Sequence, residues 1–237
     1  MTTVAEAQKM AGPTLPVLDK GFIRLDAYEA SDLSVVNAAR VSFAKHKSAI
    51  EEEDVGLIRF LMKGRHTSPF EHGYFRFHVK VPIMVVREWH RHRTWSFNEW
   101  SGRYSVLQPE WYVPARDDIR HQVGKPGAYT FERVEEDGLA RWVQDKVNRS
   151  CEEAFEAYEL MLQRGIAKEQ ARLVLPVNTY TEMYASVDPL NLMRFLSLRN
   201  TEHAMFEIRE YAKAMEELVK PIIPVTMEAF IAQGRML

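Results

Sequence analysis

The stretch Arg91-His-Arg-Thr-Trp-Ser-Phe-Asn-Glu-Trp-Ser-Gly-Arg-Tyr104 sets Arg91, His92, Arg93 and Arg103 against one carboxylate, Glu99. Guanidiniums this close repel one another unless an anion joins them. Arginine's planar fork suits phosphate better than the point charge of lysine. Ser96, Asn98 and Ser101 add hydrogen-bonding groups for phosphate or for a heterocycle edge. Trp95, Phe97, Trp100 and Tyr104 add flat surfaces for stacking. The mixture points to a nucleotide site, with room for more than one nucleotide.

A second candidate is Arg65-His-Thr-Ser-Pro-Phe-Glu-His72. Ser68-Pro-Phe-Glu71 has the form of a capping box, and a helix N-terminus with a serine hydroxyl suits an anion. The lone cysteine, Cys151, falls on an apolar helical stripe with Phe155, Tyr158 and Leu162. It reads as a packing residue rather than a nucleophile. One thiol allows no internal disulfide and suits a reducing compartment, so a cytoplasmic protein is expected.

The elements that must position these groups follow from periodicity. Phe22–Tyr28 alternates as a strand. Ser31 or Asp32 caps a helix to about Val41, and a second helix covers Glu51–Lys63. Tyr74–Val81 is the clearest strand: Phe75, Phe77, Val79 and Val81 face one way, Arg76, His78 and Lys80 the other. His78 reads as a plain histidine on the exposed face. Pro82 opens a helix carrying Val85, Val86 and Trp89, and Tyr104–Leu107 is expected to return as a strand. Pro109–Tyr129 reads as irregular, and Phe131–Arg164 as one long helix or two. Lys168–Val174 is a short helix and Val177–Val187 a strand. Asp188-Pro189 starts a helix ending near Arg199. His203 opens the last long helix, and a short one follows over Val225–Ala232. The fold expected is α+β: a mixed or antiparallel sheet packed with helices. It forms a single domain over residues 17–237 behind a mobile tail, Met1–Pro16.

The 237 residues carry a net charge of −2, which disfavours a globally basic nucleic-acid binder. The tail lacks the apolar core of a secretory signal, and no later apolar run approaches membrane-spanning length. Two other readings fit the residues less well. For a metal-dependent hydrolase, His90 and His92 stand two apart and point to different sides of a helix, and no His-Glu-x-x-His occurs. For an RNA-binding module, the acidic balance is wrong.

The motif Arg91-His92-Arg93, followed after a fixed gap by Ser101 within Asn98-Glu-Trp-Ser-Gly-Arg-Tyr104, resembles the defining motif of flavin-dependent thymidylate synthases, the ThyX family. The similarity runs from about Leu18 to near Phe230. It implies methylation of dUMP to dTMP, with 5,10-methylenetetrahydrofolate as carbon donor, reduced FAD as hydride carrier and NADPH as reductant. No cysteine nucleophile takes part. It also implies a homotetramer with FAD sites where subunits meet.

By that resemblance Arg91, His92, Arg93, Glu99, Ser68 and Ser42 contact FAD. Glu99, Trp100, Ser101, Gly102 and Arg103, with Arg91 and Arg172, hold dUMP. Arg199 matches the arginine thought to favour ionisation of the uracil ring, and Ser101 acts as a hydrogen-bond donor. His66 lies near flavin and folate, and His203 near the cofactor. Three departures stand out. Glu88 replaces the usual glutamine beside the nucleotide, Asp188-Pro-Leu190 replaces Asn-Ala-Arg, and Arg194 replaces asparagine. The last two put side-chain contacts to FAD in question.

Overall fold

The computed structural model describes residues 12–237. Five strands form one antiparallel sheet: β1 (Thr14–Val17), β2 (Gly21–Glu29), β3 (Tyr74–Pro82), β7 (Tyr180–Val187) and β4 (Ser96–Glu99), in the order β1-β2-β3-β7-β4. The alternation in β3 decides its orientation. Phe75, Phe77, Val79 and Val81 are fully buried, while Arg76, His78 and Lys80 lie on the opposite, half-open face. β1 begins inside the expected tail, because residues 14–17 pair with 21–24 of β2. The rest of that expectation, residues 1–11, lies outside the described residues.

The buried face is covered by helices α1 (Asp32–Arg40), α2 (Glu52–Lys63), α3 (Ile83–Trp89), α6 (Pro189–Arg199), α7 (Phe206–Val219) and α8 (Pro224–Ala232). Their apolar stripes meet the sheet at Trp89, Phe195, Tyr211 and Phe230, all fully buried. Caps fix where they start. Ser31 and Ser34 exchange side-chain and backbone hydrogen bonds at 3.0 and 3.1 Å to open α1. The buried Asp32 carboxylate accepts from the Val225 and Thr226 N–H groups at the start of α8. A negative charge there complements the helix dipole and joins two distant parts of the chain. On the far side lie α4 (Asp137–Gln163) and the short α5 (Lys168–Ala171), which pack around Phe155 and Tyr158.

Several local expectations change. The motif itself supplies β4, and residues 104–107 form a turn and coil instead of a strand. The stretch read as irregular contains a hairpin, β5 (Arg120–Lys125) and β6 (Ala128–Arg133), reversing at Gly127 in a left-handed conformation. β6 claims Phe131, so α4 begins later, at Asp137. Ser68 opens only one 3₁₀ turn, Ser68–Glu71, without a capping bond. Pro69 and Phe70 are buried there, and the turn closes through Phe70 N–H to the Thr67 carbonyl. His203 lies in the turn before α7, not at its first residue.

Asp54 in α2 is buried and joins Arg40 of α1 (2.6 Å) to Lys47 of the intervening loop (3.1 Å). Burial alone would raise its pKa; the Glu51 N–H, Arg40 and Lys47 outweigh burial and hold it below the ordinary carboxylate value. A lowered carboxyl stabilises the fold above the unfolded pKa of about 3.9, and that contribution disappears as pH falls through the folded value. Asp54→Asn is therefore expected to lower Tm at pH 7. The gap to the unsubstituted chain should shrink in acid below about pH 4. A gap independent of pH in calorimetric scans would assign the loss to packing instead.

Candidate functional site

The motif is built around the edge strand β4. Before it, α3 ends at Trp89 and a turn carries His90 to Trp95. Trp89 and Trp95 anchor that turn, with ring centroids 5.6 Å apart edge to face, and Trp89 stacks on Phe195 of α6 at 5.1 Å. The aromatics expected to stack on a ligand therefore split. Trp95 belongs to the core, and Trp100 and Tyr104 stay accessible. With the indoles buried, Arg91 and Arg93 face outward. Neither meets a carboxylate among the described residues.

His92 is the exception within the triplet. It is half-buried, its ring packs edge-on to Phe195 at 4.9 Å, and its Nε2 accepts from Arg199 Nε at 3.0 Å. Burial, then the Arg199 cation, lower its pKa to about 4, with Glu88 opposing. His92 is thus neutral, with its proton on Nδ1. Arg199 also donates from Nη1 to the Glu88 carboxylate (2.7 Å) and from Nη2 to the Glu88 carbonyl (3.1 Å). The last turn of α6 and the end of α3 are joined at this point.

After β4 the chain turns through Ser101–Tyr104. The Trp100 N–H donates to the Glu182 carbonyl at 2.8 Å, continuing the ladder with β7. Ser101 holds the turn: its carbonyl accepts from Tyr104 and Ser105, and its Oγ from the Arg103 N–H at 3.3 Å. Gly102 is buried, and a Cβ there would lie 3.1 Å from Leu107 and 3.4 Å from the Arg172 side chain. Arg172 and the Ser101–Arg103 turn therefore stand together. Arg103 meets Glu169 at 3.4 Å, and Lys168 donates to the Tyr104 carbonyl at 2.7 Å, so α5 pins the turn.

The chain does not bring all the predicted residues around one point. Glu88 and His92, both bonded to Arg199, precede β4 in the chain, and the Ser101–Arg103 turn with Arg172 follows it. Glu99 lies on β4 between them. Ser68 and His66 occupy the loop after α2, where exposed Phe60 meets the His66 ring edge-on at 5.5 Å. That loop packs its 3₁₀ turn on α6. Asp188 caps α6 through the Asn191 N–H (2.8 Å), and Asn191 in turn accepts from Arg194 (3.0 Å). The capping role read from sequence is present. Ser42 and His203 are exposed and approach none of these groups through a hydrogen bond among the described residues.

Sequence reasoning missed a third feature. The open face of the sheet carries a cleft of about 420 Å³, lined by His78, Asn98, Glu99, Trp100, Glu182 and Tyr184. His78 is not a plain surface histidine. Arg24 donates to its Nδ1 (3.2 Å), its Nε2 bonds Glu182 (2.8 Å), and it stacks on Tyr184 with centroids 5.0 Å apart. Alternation gave the face of each residue but not which strands were neighbours.

Comparison with known proteins decides the family. Residues 24–225 match the family model described as "Thymidylate synthase complementing protein". A flavin-dependent thymidylate synthase of Thermus thermophilus is 47% identical over 225 residues, covering 93% of this chain and 80% of that protein. One of Gluconobacter oxydans is 42% identical over 231 residues, covering 96% and 76%. The chain belongs to the flavin-dependent thymidylate synthases. The fold of this thymidylate synthase agrees with a solved structure, the UMP/dUMP methylase PolB of Streptomyces cacaoi bound with 5-Br UMP. The TM-score is 0.85 at 42% identity, covering 94% of this chain and 98% of that one. The same methylase bound with 5-Br dUMP gives 0.84.

Among the described residues, the group with metal-ligand spacing is Glu51, Glu53 and Asp54, whose carboxylates are taken by Lys47 and Arg40. Among the described residues, no helix is long and apolar enough to cross a membrane. Cys151 is buried on α4, where its thiol exchanges weak hydrogen bonds with Asn178 at 3.3–3.5 Å. Burial pushes its pKa up, against a thiolate. Cys151→Ala is expected to leave dTMP formation within about twofold, with a small loss in Tm from the vacated volume. Inactivity in a folded, flavin-loaded variant would restore a cysteine mechanism.

Proposed function

We propose that this chain converts dUMP to dTMP, with 5,10-methylenetetrahydrofolate as carbon donor, FAD as resident cofactor and NADPH as reductant. The observation that carries the reading is the outward pair Arg91 and Arg93. Among the described residues they meet no carboxylate, and they flank a histidine kept neutral by burial. Such a donor set fits phosphates: two permanent cations beside an uncharged ring, on a turn anchored by buried indoles. When bound, FAD supplies the hydride transfer.

The chain's own residues bind and orient. Arg91, Arg93 and His92, with Ser68, Ser42 and Glu99, hold the flavin nucleotide, and His66 beside Phe60 offers a stacking edge for a flat heterocycle. Asp188, Arg194 and His203 complete the cofactor side. Asp188 is committed to its helix cap and Arg194 to Asn191, so their contribution runs through shape more than direct contact. Ser101, Gly102, Arg103 and Arg172 form the second anion cradle, which suits the phosphate of dUMP, with Glu99 and Trp100 beside it. Arg199 stabilises negative charge developing on the uracil imide. The one thiol, Cys151, is buried on α4 against Asn178.

Assembly from several copies suits two cradles built on different stretches of the chain. A dUMP held at its phosphate by one and at its ring by the other fits where two copies meet, each supplying one cradle. A homotetramer with sites at its interfaces is part of this reading, as is cytoplasmic placement. The test is a spectrum of the purified protein. Flavin absorbance that bleaches with NADPH, and reappears with dUMP and methylenetetrahydrofolate as dTMP forms, is expected. A protein that cannot be loaded with FAD sinks the proposal.

A further inference from the structure

The Ser101–Arg103 turn is held by α5 and the residue after it. Lys168 and Arg172 stand four apart, and Glu169 and Arg172 three apart, so the three project from one side of that short helix. Lys168 Nζ donates to the Tyr104 carbonyl at 2.7 Å, and the Arg172 side chain lies against Gly102. Glu169 meets Arg103 Nε at 3.4 Å. Three cations and one carboxylate gather at this turn, a net charge of plus two. Glu99, on β4 before the turn, forms no ion pair with them among the described residues.

The Arg103–Glu169 pair does little for the fold. Both side chains are more than half exposed, at 54% and 57%, and such a pair contributes little to stability. The turn closes without it. The Ser101 carbonyl accepts from the Tyr104 and Ser105 N–H groups, and Lys168 ties the turn to α5. What Glu169 adds is its field at Arg103. We infer that Glu169 is a specificity-determining residue: it trims the charge of the cradle to match a nucleoside monophosphate and so disfavours the di- and triphosphates of the same nucleoside. The inference rests on the proposed reading of this turn as the phosphate cradle of dUMP.

The physical argument is one of charge matching. A monophosphate ester carries about two negative charges near neutral pH, and each added phosphate brings about one more. The cradle balances the first and leaves the others in excess. That excess also meets the Glu169 carboxylate, which faces no cation except Arg103 among the described residues. Specificity is a difference of affinities, so one fixed repulsive charge serves it while the monophosphate complex keeps its cations. The carboxylate is exposed, so its field acts through solvent and is screened by salt, over about 8 Å at physiological ionic strength.

The test compares dUMP, dUDP and dUTP as ligands of the flavin-loaded protein, by calorimetric titration in buffer free of divalent metal. Glu169→Gln keeps the size of the side chain and removes its charge. Its affinity for dUTP is expected to rise about fivefold relative to dUMP at low salt, with dUDP between, and the gain should fade as salt is raised. Glu169→Asp keeps the charge and should hold the ratio near that of the unsubstituted protein. A dUTP-to-dUMP ratio that the Gln variant leaves unmoved, or that moves without regard to salt, overturns the role of Glu169. A loss shared equally by all three ligands does so too, because it marks a packing role. If the unsubstituted protein binds no dUMP, the cradle reading itself falls; dUMP binding with an unmoved ratio removes Glu169 alone.

Discussion

Arg199→Ala is expected to lower dTMP formation roughly 10²–10³-fold, the scale on which a preorganised donor at a developing anion acts. The structure explains why nothing nearby can substitute. The guanidinium is fixed by three hydrogen bonds, from Nε to His92 and from both Nη atoms to Glu88. Alanine leaves the Glu88 carboxylate uncompensated at the place where the ring becomes electron-rich, so the field there changes sign. His92 loses a donor and a neighbouring cation, and its pKa should move back up from about 4. Flavin loading should persist, because Arg91 and Arg93 are untouched. The check is single-turnover dTMP formation in the flavin-loaded variant together with the titration of His92. Turnover within a few-fold of normal would remove Arg199 from the chemistry.

The double replacement Arg91→Ala, Arg93→Ala should weaken FAD binding roughly 10²–10⁴-fold, taking about 1.5–3 kcal/mol for each charged hydrogen bond lost. Fold stability should scarcely change. Both side chains are exposed and neither forms an ion pair among the described residues, so their removal strands no buried charge. Mutual repulsion between them also disappears. The expected result is a colourless protein with an undiminished Tm in the absence of added flavin. A yellow double variant would move the cofactor cradle elsewhere. If the variant instead lost several degrees of Tm, these arginines would be structural.

What could be read from residues alone was most of the frame around the candidate site. Alternation in Tyr74–Pro82 and the Ser31 and Asp188 caps were legible because their causes are local. Side-chain period, cap chemistry and proline geometry each act over a few residues. The hairpin at residues 120–133 was not legible, since its strands are exposed on both faces and carry no alternation. β4 was hidden for a related reason. Four residues of mixed polarity become a strand because β7 offers its edge, and pairing between residues 96–99 and 183–186 is invisible to local propensity.

The sequence by itself determined the chemistry: which cations cluster, that the one thiol belongs to a helix stripe, and that the motif resembles a flavin-dependent thymidylate synthase. Only the tertiary structure decided charge state and grouping. It made His92 neutral, joined Arg199 to Glu88 across 111 positions and Arg172 to Gly102. It also made residues 96–99 an edge strand on β7. The reason is that burial and pairing depend on which elements become neighbours. The energy of a charge is set by what surrounds it in space, whatever the distance along the chain.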